Sequence, residues 1–236
     1  MKNPIIVALD VPSADAAVQL AQDVAPFVGA FKVGKELFVS AGPDIVRRLR
    51  DTGAAVFLDL KFHDIPNTVA KAVAAAVRLD VQMLTLHCSG ASAMMRAAEQ
   101  AAQKTAAELK QPTPLVLGVT VLTSMDQAAL QELGIEADPA QQVERLARLA
   151  VTSGLRGLVC SPLELPRLRQ ILPPEIQLVT PGIRTGEEKA DDQKRTLSPQ
   201  EALAAGASWL VIGRPIYAAP NPAEAARKIW QGLQAI

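Results

Sequence analysis

The run Ala54-Ala55-Val56-Phe57-Leu58 passes directly into Asp59-Leu60-Lys61-Phe62-His63-Asp64-Ile65-Pro66-Asn67-Thr68. Its first five residues are apolar and short, as in a buried β-strand. The charges that follow therefore sit at a strand's C-terminal end. Two acids and a lysine at the edge of a core are costly unless they pair or do chemistry. Side-chain alternation puts Asp59 and Lys61 on one face if the strand continues through Lys61. Asp64 lies beyond the strand, where a turn either returns it to Lys61 or carries it to a neighbouring subunit.

Similar runs recur on both sides. They are Ile5 to Leu9, Ala30 to Val33, Val81 to Leu86, Leu115 to Val119, Gly157 to Cys160, Gln177 to Thr180 and Trp209 to Ile212. With the opening run they make about eight strands, the number of a (β/α)8 barrel, whose typical length is ~250 residues. Ala-rich amphipathic segments lie between them. Ser13 opens the first. Asp138-Pro139-Ala140-Gln141 supplies an N-cap, a proline at the first helical position and a Gln at the reciprocal capping position. Ser198-Pro199-Gln200-Glu201 repeats the pattern, and Gly154 and Gly206 mark helix ends. Strict strand–helix alternation requires a parallel sheet with crossovers. The expected fold is an α/β TIM (β/α)8 barrel forming a single domain over residues 1–236. Two segments break the rhythm, Thr120 to Pro139 and Gly182 to Thr196. They read either as solvated loops or as mobile lids on the catalytic side.

Bulk properties narrow the function. The chain has 236 residues, with 24 Lys and Arg against 24 Asp and Glu. A net charge of zero offers no electrostatic footprint for nucleic acid or an anionic membrane. No apolar run approaches the roughly 20 residues of a membrane span, and no signal-like segment opens the chain. The expectation is a cytoplasmic protein with neither membrane nor nucleic-acid partners. Cys88 and Cys160 form no paired-Cys motif and read as buried thiols.

Strand ends of a barrel converge on one mouth. Here they bring Asp10, Lys32, Asp59 with Lys61, His87, Thr120 with Thr123, Pro181, and Gly213 with Arg214. A lysine between carboxylates is favoured as an ammonium. It is then a poor Schiff-base nucleophile, better suited to stabilising developing negative charge and donating a proton. A buried ion-pair network is the structural alternative. Pro181-Gly182-Ile183-Arg184 and Gly213-Arg214-Pro215-Ile216 follow the seventh and eighth strands, the recurring phosphate-binding place of this fold. Glycine lets a backbone N–H approach a phosphate, and arginine adds a planar fork. His63 reads as a surface turn residue. His87 lines the mouth or packs as a hydrogen-bonded core histidine. No metal-ligand spacing is present; Asp10, Asp59 and Asp64 would face competition from Lys32 and Lys61 for any Mg²⁺.

Together these blocks closely resemble the orotidine 5′-phosphate decarboxylase family. The resemblance spans the chain and rests on Ala8-Leu9-Asp10, Phe31-Lys32-Val33-Gly34, Asp59-x-Lys61-x-x-Asp64-Ile65-Pro66-Asn67-Thr68, Thr120-Val121-Leu122-Thr123-Ser124 and the two Gly-Arg loops. The Asp-x-Lys-x-x-Asp core alone is shared with sugar-phosphate relatives; the extension and flanking blocks are specific. The resemblance implies conversion of orotidine 5′-phosphate to uridine 5′-phosphate and CO2, with no cofactor and no metal. It implies that Asp10 and Lys32 hold the ribose hydroxyls, with Lys32 bridging also to Asp59. Asp59 would sit beside the substrate carboxylate, and Lys61 would protonate ring carbon six. Thr123 would touch the pyrimidine, and Gln193 would close a lid. Arg184, Gly213 and Arg214, beside Pro181, would take the phosphate. Asp64, Ile65 and Thr68 would enter the partner's site in a homodimer with shared active sites. Two rivals stand beside this reading: a Mg²⁺-dependent sugar-phosphate decarboxylase or aldolase, and a phosphate-binding module with a decayed site.

Overall fold

A computed structural model of the chain describes residues 3–185 and 196–234. Eight strands form in the anticipated places: β1 (Ile5–Ala8), β2 (Ala30–Gly34), β3 (Val56–Phe62), β4 (Met83–His87), β5 (Leu115–Val119), β6 (Gly157–Val159), β7 (Gln177–Thr180) and β8 (Trp209–Ile212). They pair in parallel, in chain order, and close into a barrel. The closing seam pairs Ile5 with Leu210, Ile6 with Val211 and Val7 with Ile212. Helices connect the strands across the outside, as parallel neighbours demand.

The period-2 pleat divides each strand between two cores. In β1, Ile5 and Val7 face the helices, while Ile6 and Ala8 point into the barrel. Phe57, Met83, Leu117, Val179 and Trp209 fill the same interior. The low aromatic content is thus enough: two large rings plug a barrel otherwise packed with aliphatic side chains.

Helix ends follow the sequence punctuation. Ser13 caps the helix Ala14–Val24, accepting from the Ala16 N–H at 3.2 Å. Ser198 and Glu201 close a full capping box on the helix Pro199–Ala204. Asp138 accepts from the Gln141 N–H at 2.8 Å at the start of Pro139–Thr152. The break from Thr120 to Pro139 is not wholly irregular: Gln127–Glu132 is helical, capped by Asp126. Most of the second break, including Gln193, lies outside the described residues. None of the described helices is long and apolar enough to cross a membrane.

Candidate active site

The same pleat builds the site. Going up each strand by twos, the inward series Ile6–Ala8 leads to Asp10, Ala30 leads to Lys32, and Phe57 leads to Asp59. The hydrophobic interior therefore ends in a charged layer at the C-terminal mouth, where a cleft of about 390 Å3 opens. Asp10, Lys32, Asp59 and Lys61 line it from the first three strands, and Thr123 from beyond β5. Pro181, Gly182 and Arg184 after β7, and Gly213 and Arg214 after β8, complete the rim. Gly182 adopts φ +79°, a left-handed turn that glycine takes without steric cost.

Two ion pairs occupy the cleft. The Lys61 ammonium donates to both Asp59 carboxylate oxygens at 2.7 Å. Lys32 Nζ lies 3.0 Å from Asp10 Oδ1. The implied Lys32–Asp59 bridge does not form. Asp59 is already committed, because its Oδ1 also accepts from the Thr85 hydroxyl at 2.9 Å. Lys61–Asp59 and Lys32–Asp10 are thus two separate pairs.

Lys61 reaches Asp59 by an irregular route. It stands at φ +54°, in the left-handed region that a side chain disfavours. The β3–β4 register also shifts: Leu58 pairs with Leu84, but Phe62 pairs with Leu86. Residues 59–61 of β3 therefore lie opposite Thr85 alone. The insertion is even-numbered, so alternation survives it and the inward facing of Asp59 and Lys61 is retained. Bulges of this kind re-aim side chains beside active sites.

Asp64, Ile65 and Thr68 are exposed and absent from the cleft wall. Asp64 Oδ1 accepts from the neighbouring Ile65 N–H at 2.6 Å. Gln193 falls outside the described residues. His63 is exposed, and its ring lies 5.5 Å from that of His87. His87, at the end of β4, is held below the ordinary imidazole value by its burial and by repulsion from His63, Lys35 and Lys61, with Asp59 opposing. Burial pushes the Cys88 thiol up to about 12 and raises Cys160 too, so both are inert as nucleophiles at neutral pH. Among the described residues, no three His, Cys, Asp or Glu side chains gather as a metal site.

Sequence reasoning gathered the charged and glycine strand ends but passed over their companions. Val119, Val121 and Val159 give the cleft an apolar portion. Their inward facing follows from the same alternation. Thr85 was also missed, although a lone hydroxyl inside Met83-Leu84-Thr85-Leu86 was a usable signal.

A closed (β/α)8 barrel with lysine–acid pairs in its mouth and Gly-Arg loops after β7 and β8 defines a barrel with the makings of a phosphate-ligand site. The chain belongs to the orotidine 5′-phosphate decarboxylase / HUMPS family, whose model matches residues 3–229. It is 52% identical over 229 residues to an orotidine 5′-phosphate decarboxylase of Moorella thermoacetica, covering 97% of this chain and 91% of that one. A protein of the same name from Opitutus terrae is 52% identical, covering 99% and 100%. The crystal structure of orotidine 5′-phosphate decarboxylase from Lactobacillus acidophilus superposes with a TM-score of 0.85 at 34% identity, covering 98% of this chain and 99% of that one.

Proposed function

We propose that this chain is the orotidine 5′-phosphate decarboxylase of pyrimidine biosynthesis, releasing CO2 to leave uridine 5′-phosphate without a cofactor. The observation that carries the mechanism is the Lys61 ammonium, fixed 2.7 Å from both Asp59 oxygens inside a cleft rimmed by two Gly-Arg loops. The bond from ring carbon six to the carboxylate breaks heterolytically, and its electron pair stays on carbon six. That pair lies in the ring plane, where resonance does little for it. A preorganised ammonium stabilises it without reorganisation. Lys61 then gives carbon six its proton, and CO2 departs.

The remaining residues bind and orient. Asp10 and Lys32 hold the ribose hydroxyls, Thr123 the pyrimidine, and Arg184, Gly213 and Arg214, beside Pro181, the phosphate. Gln193 binds the base and the phosphate. Binding energy from the remote phosphate orients the reacting end. Asp64, Ile65 and Thr68 belong to the partner's cleft in a cytoplasmic homodimer; their exposure and their absence from their own cleft support that reading.

The test is the ultraviolet absorbance of orotidine 5′-phosphate on adding purified protein. Conversion to uridine 5′-phosphate is expected, and a flat trace sinks the assignment, leaving a binding module. EDTA separates the metal-dependent relatives. Activity lost to EDTA and restored by Mg²⁺ counts against the cofactor-free mechanism.

A further inference from the structure

We infer that Thr85 is a positioning residue: its buried hydroxyl clamps the β3 irregularity and thereby aims Lys61 and Asp59. Thr85 is completely buried on β4. Its Oγ1 accepts from the Lys61 backbone N–H at 2.9 Å and lies 2.9 Å from Asp59 Oδ1. A backbone N–H can only donate, so the hydroxyl's lone pair is used there and its single proton goes to the carboxylate. The directions of both bonds are therefore fixed.

The location explains the need. Leu58 and Phe62 pair with Leu84 and Leu86, so one β4 residue faces three of β3. In that interval the regular ladder is interrupted, and Lys61 turns through φ +54°. Without the Thr85 oxygen its partly buried N–H would lose this partner, a costly state. One hydroxyl thus secures the backbone of the strained lysine and the carboxylate that receives its ammonium. An ordinary core threonine bonded to its own chain segment would do neither.

The inference rests on the decarboxylase reading for its kinetic consequence but not for its structural one, so both are measured. Thr85→Val removes the hydroxyl at similar volume, and Thr85→Ala does so without the branched bulk. Whichever keeps the wild-type melting temperature more closely is compared with Thr85→Ser. The Lys61 amide is expected to exchange with solvent deuterium at least about tenfold faster without the hydroxyl, and at near-wild-type rate in Thr85→Ser. Turnover of orotidine 5′-phosphate is expected to lose on the order of 10- to 100-fold in kcat, with KM nearly unchanged and most of the loss recovered by Thr85→Ser. Unchanged Lys61 exchange overturns the clamp, whether or not the wild type is active. Equal losses in Thr85→Ser and the hydroxyl-free variant overturn it too, since packing alone would then be responsible. A wild type without turnover fails the functional reading instead, and the exchange measurement still decides the clamp.

Discussion

Lys61 holds its side chain from a backbone conformation that normally belongs to glycine, at φ +54°. A non-glycine residue in so sparsely populated a region costs on the order of 1–3 kcal/mol, and surrounding contacts must sustain it. Here they are bonds from the lysine's own N–H and ammonium. Lys61→Ala keeps a side chain at that position but, in the proposed mechanism, would lose both charge stabilisation and the proton donor. Each contributes roughly two to four decades in rate. The expected fall in kcat/KM is at least about 10⁴-fold, and a variant keeping a tenth of wild-type activity refutes the role. His87 yields a second residue-level prediction. Its folded-state value lies below the ordinary imidazole 6.5, first through burial. Above 6.5 it is neutral whether folded or unfolded, and it costs no stability. As pH falls below 6.5, the unfolded chain takes up a proton that the folded chain resists, so stability drops until the lower folded value is passed. Denaturant titrations at pH 7 and pH 5 should show a smaller acid-induced loss in His87→Gln than in the wild type. An identical loss excludes His87 as a contributor.

At the scale of elements, Gly34 joins β2 to the helix Lys35–Ala41 and leaves room for the second ion pair. A Cβ there would lie 3.0 Å from Lys32 Nζ and 3.4 Å from Asp10 Oδ1. Its φ of −86° suits any residue, so the constraint comes from the neighbours rather than from backbone strain. Gly34→Ala should fold normally but displace the Lys32–Asp10 pair. If that pair holds the ribose, KM should rise about tenfold, equivalent to about 1.4 kcal/mol, with kcat less affected. An unchanged KM detaches the pair from binding. The elements themselves were largely legible, because short apolar runs and side-chain caps are local signals. Ser198 with Glu201 announces its helix in four residues. The helix Gln127–Glu132 escaped because six residues are too few for a 3.6-residue period to declare itself. The β3–β4 shift escaped for a different reason. Register is a relation between two strands, and the residues around Lys61 carry no glycine or proline to mark it. Alternation reached the right face for Asp59 and Lys61 only because the inserted residues are even in number.

Across the whole molecule, the charged motif divides at the end of β3. Asp59 and Lys61 enter the chain's own cleft, whereas His63 to Thr68 form an unbroken exposed run. Ile65 is 66% exposed there, and Val39 on the helix Lys35–Ala41 is 82% exposed. An apolar side chain so exposed in the same run as Asp64 would suit burial of Ile65 against a second copy. An isologous dimer would give each cleft the other's Asp64. Then Lys61→Ala removes the ammonium from a chain's own cleft, while Asp64→Ala removes the acid from its partner's. Each homodimer should be inactive. In a mixed dimer, one site carries both defects and the other carries neither. Equal amounts exchanging at random give half mixed dimers, so about a quarter of all sites are intact and specific activity should recover to about a quarter of wild type. Subunit exchange is verified independently by mass-labelled chains in native mass spectrometry. Exchange without recovered turnover would return Asp64 to its own chain's site, by a rearrangement of the turn that now holds it on the Ile65 N–H.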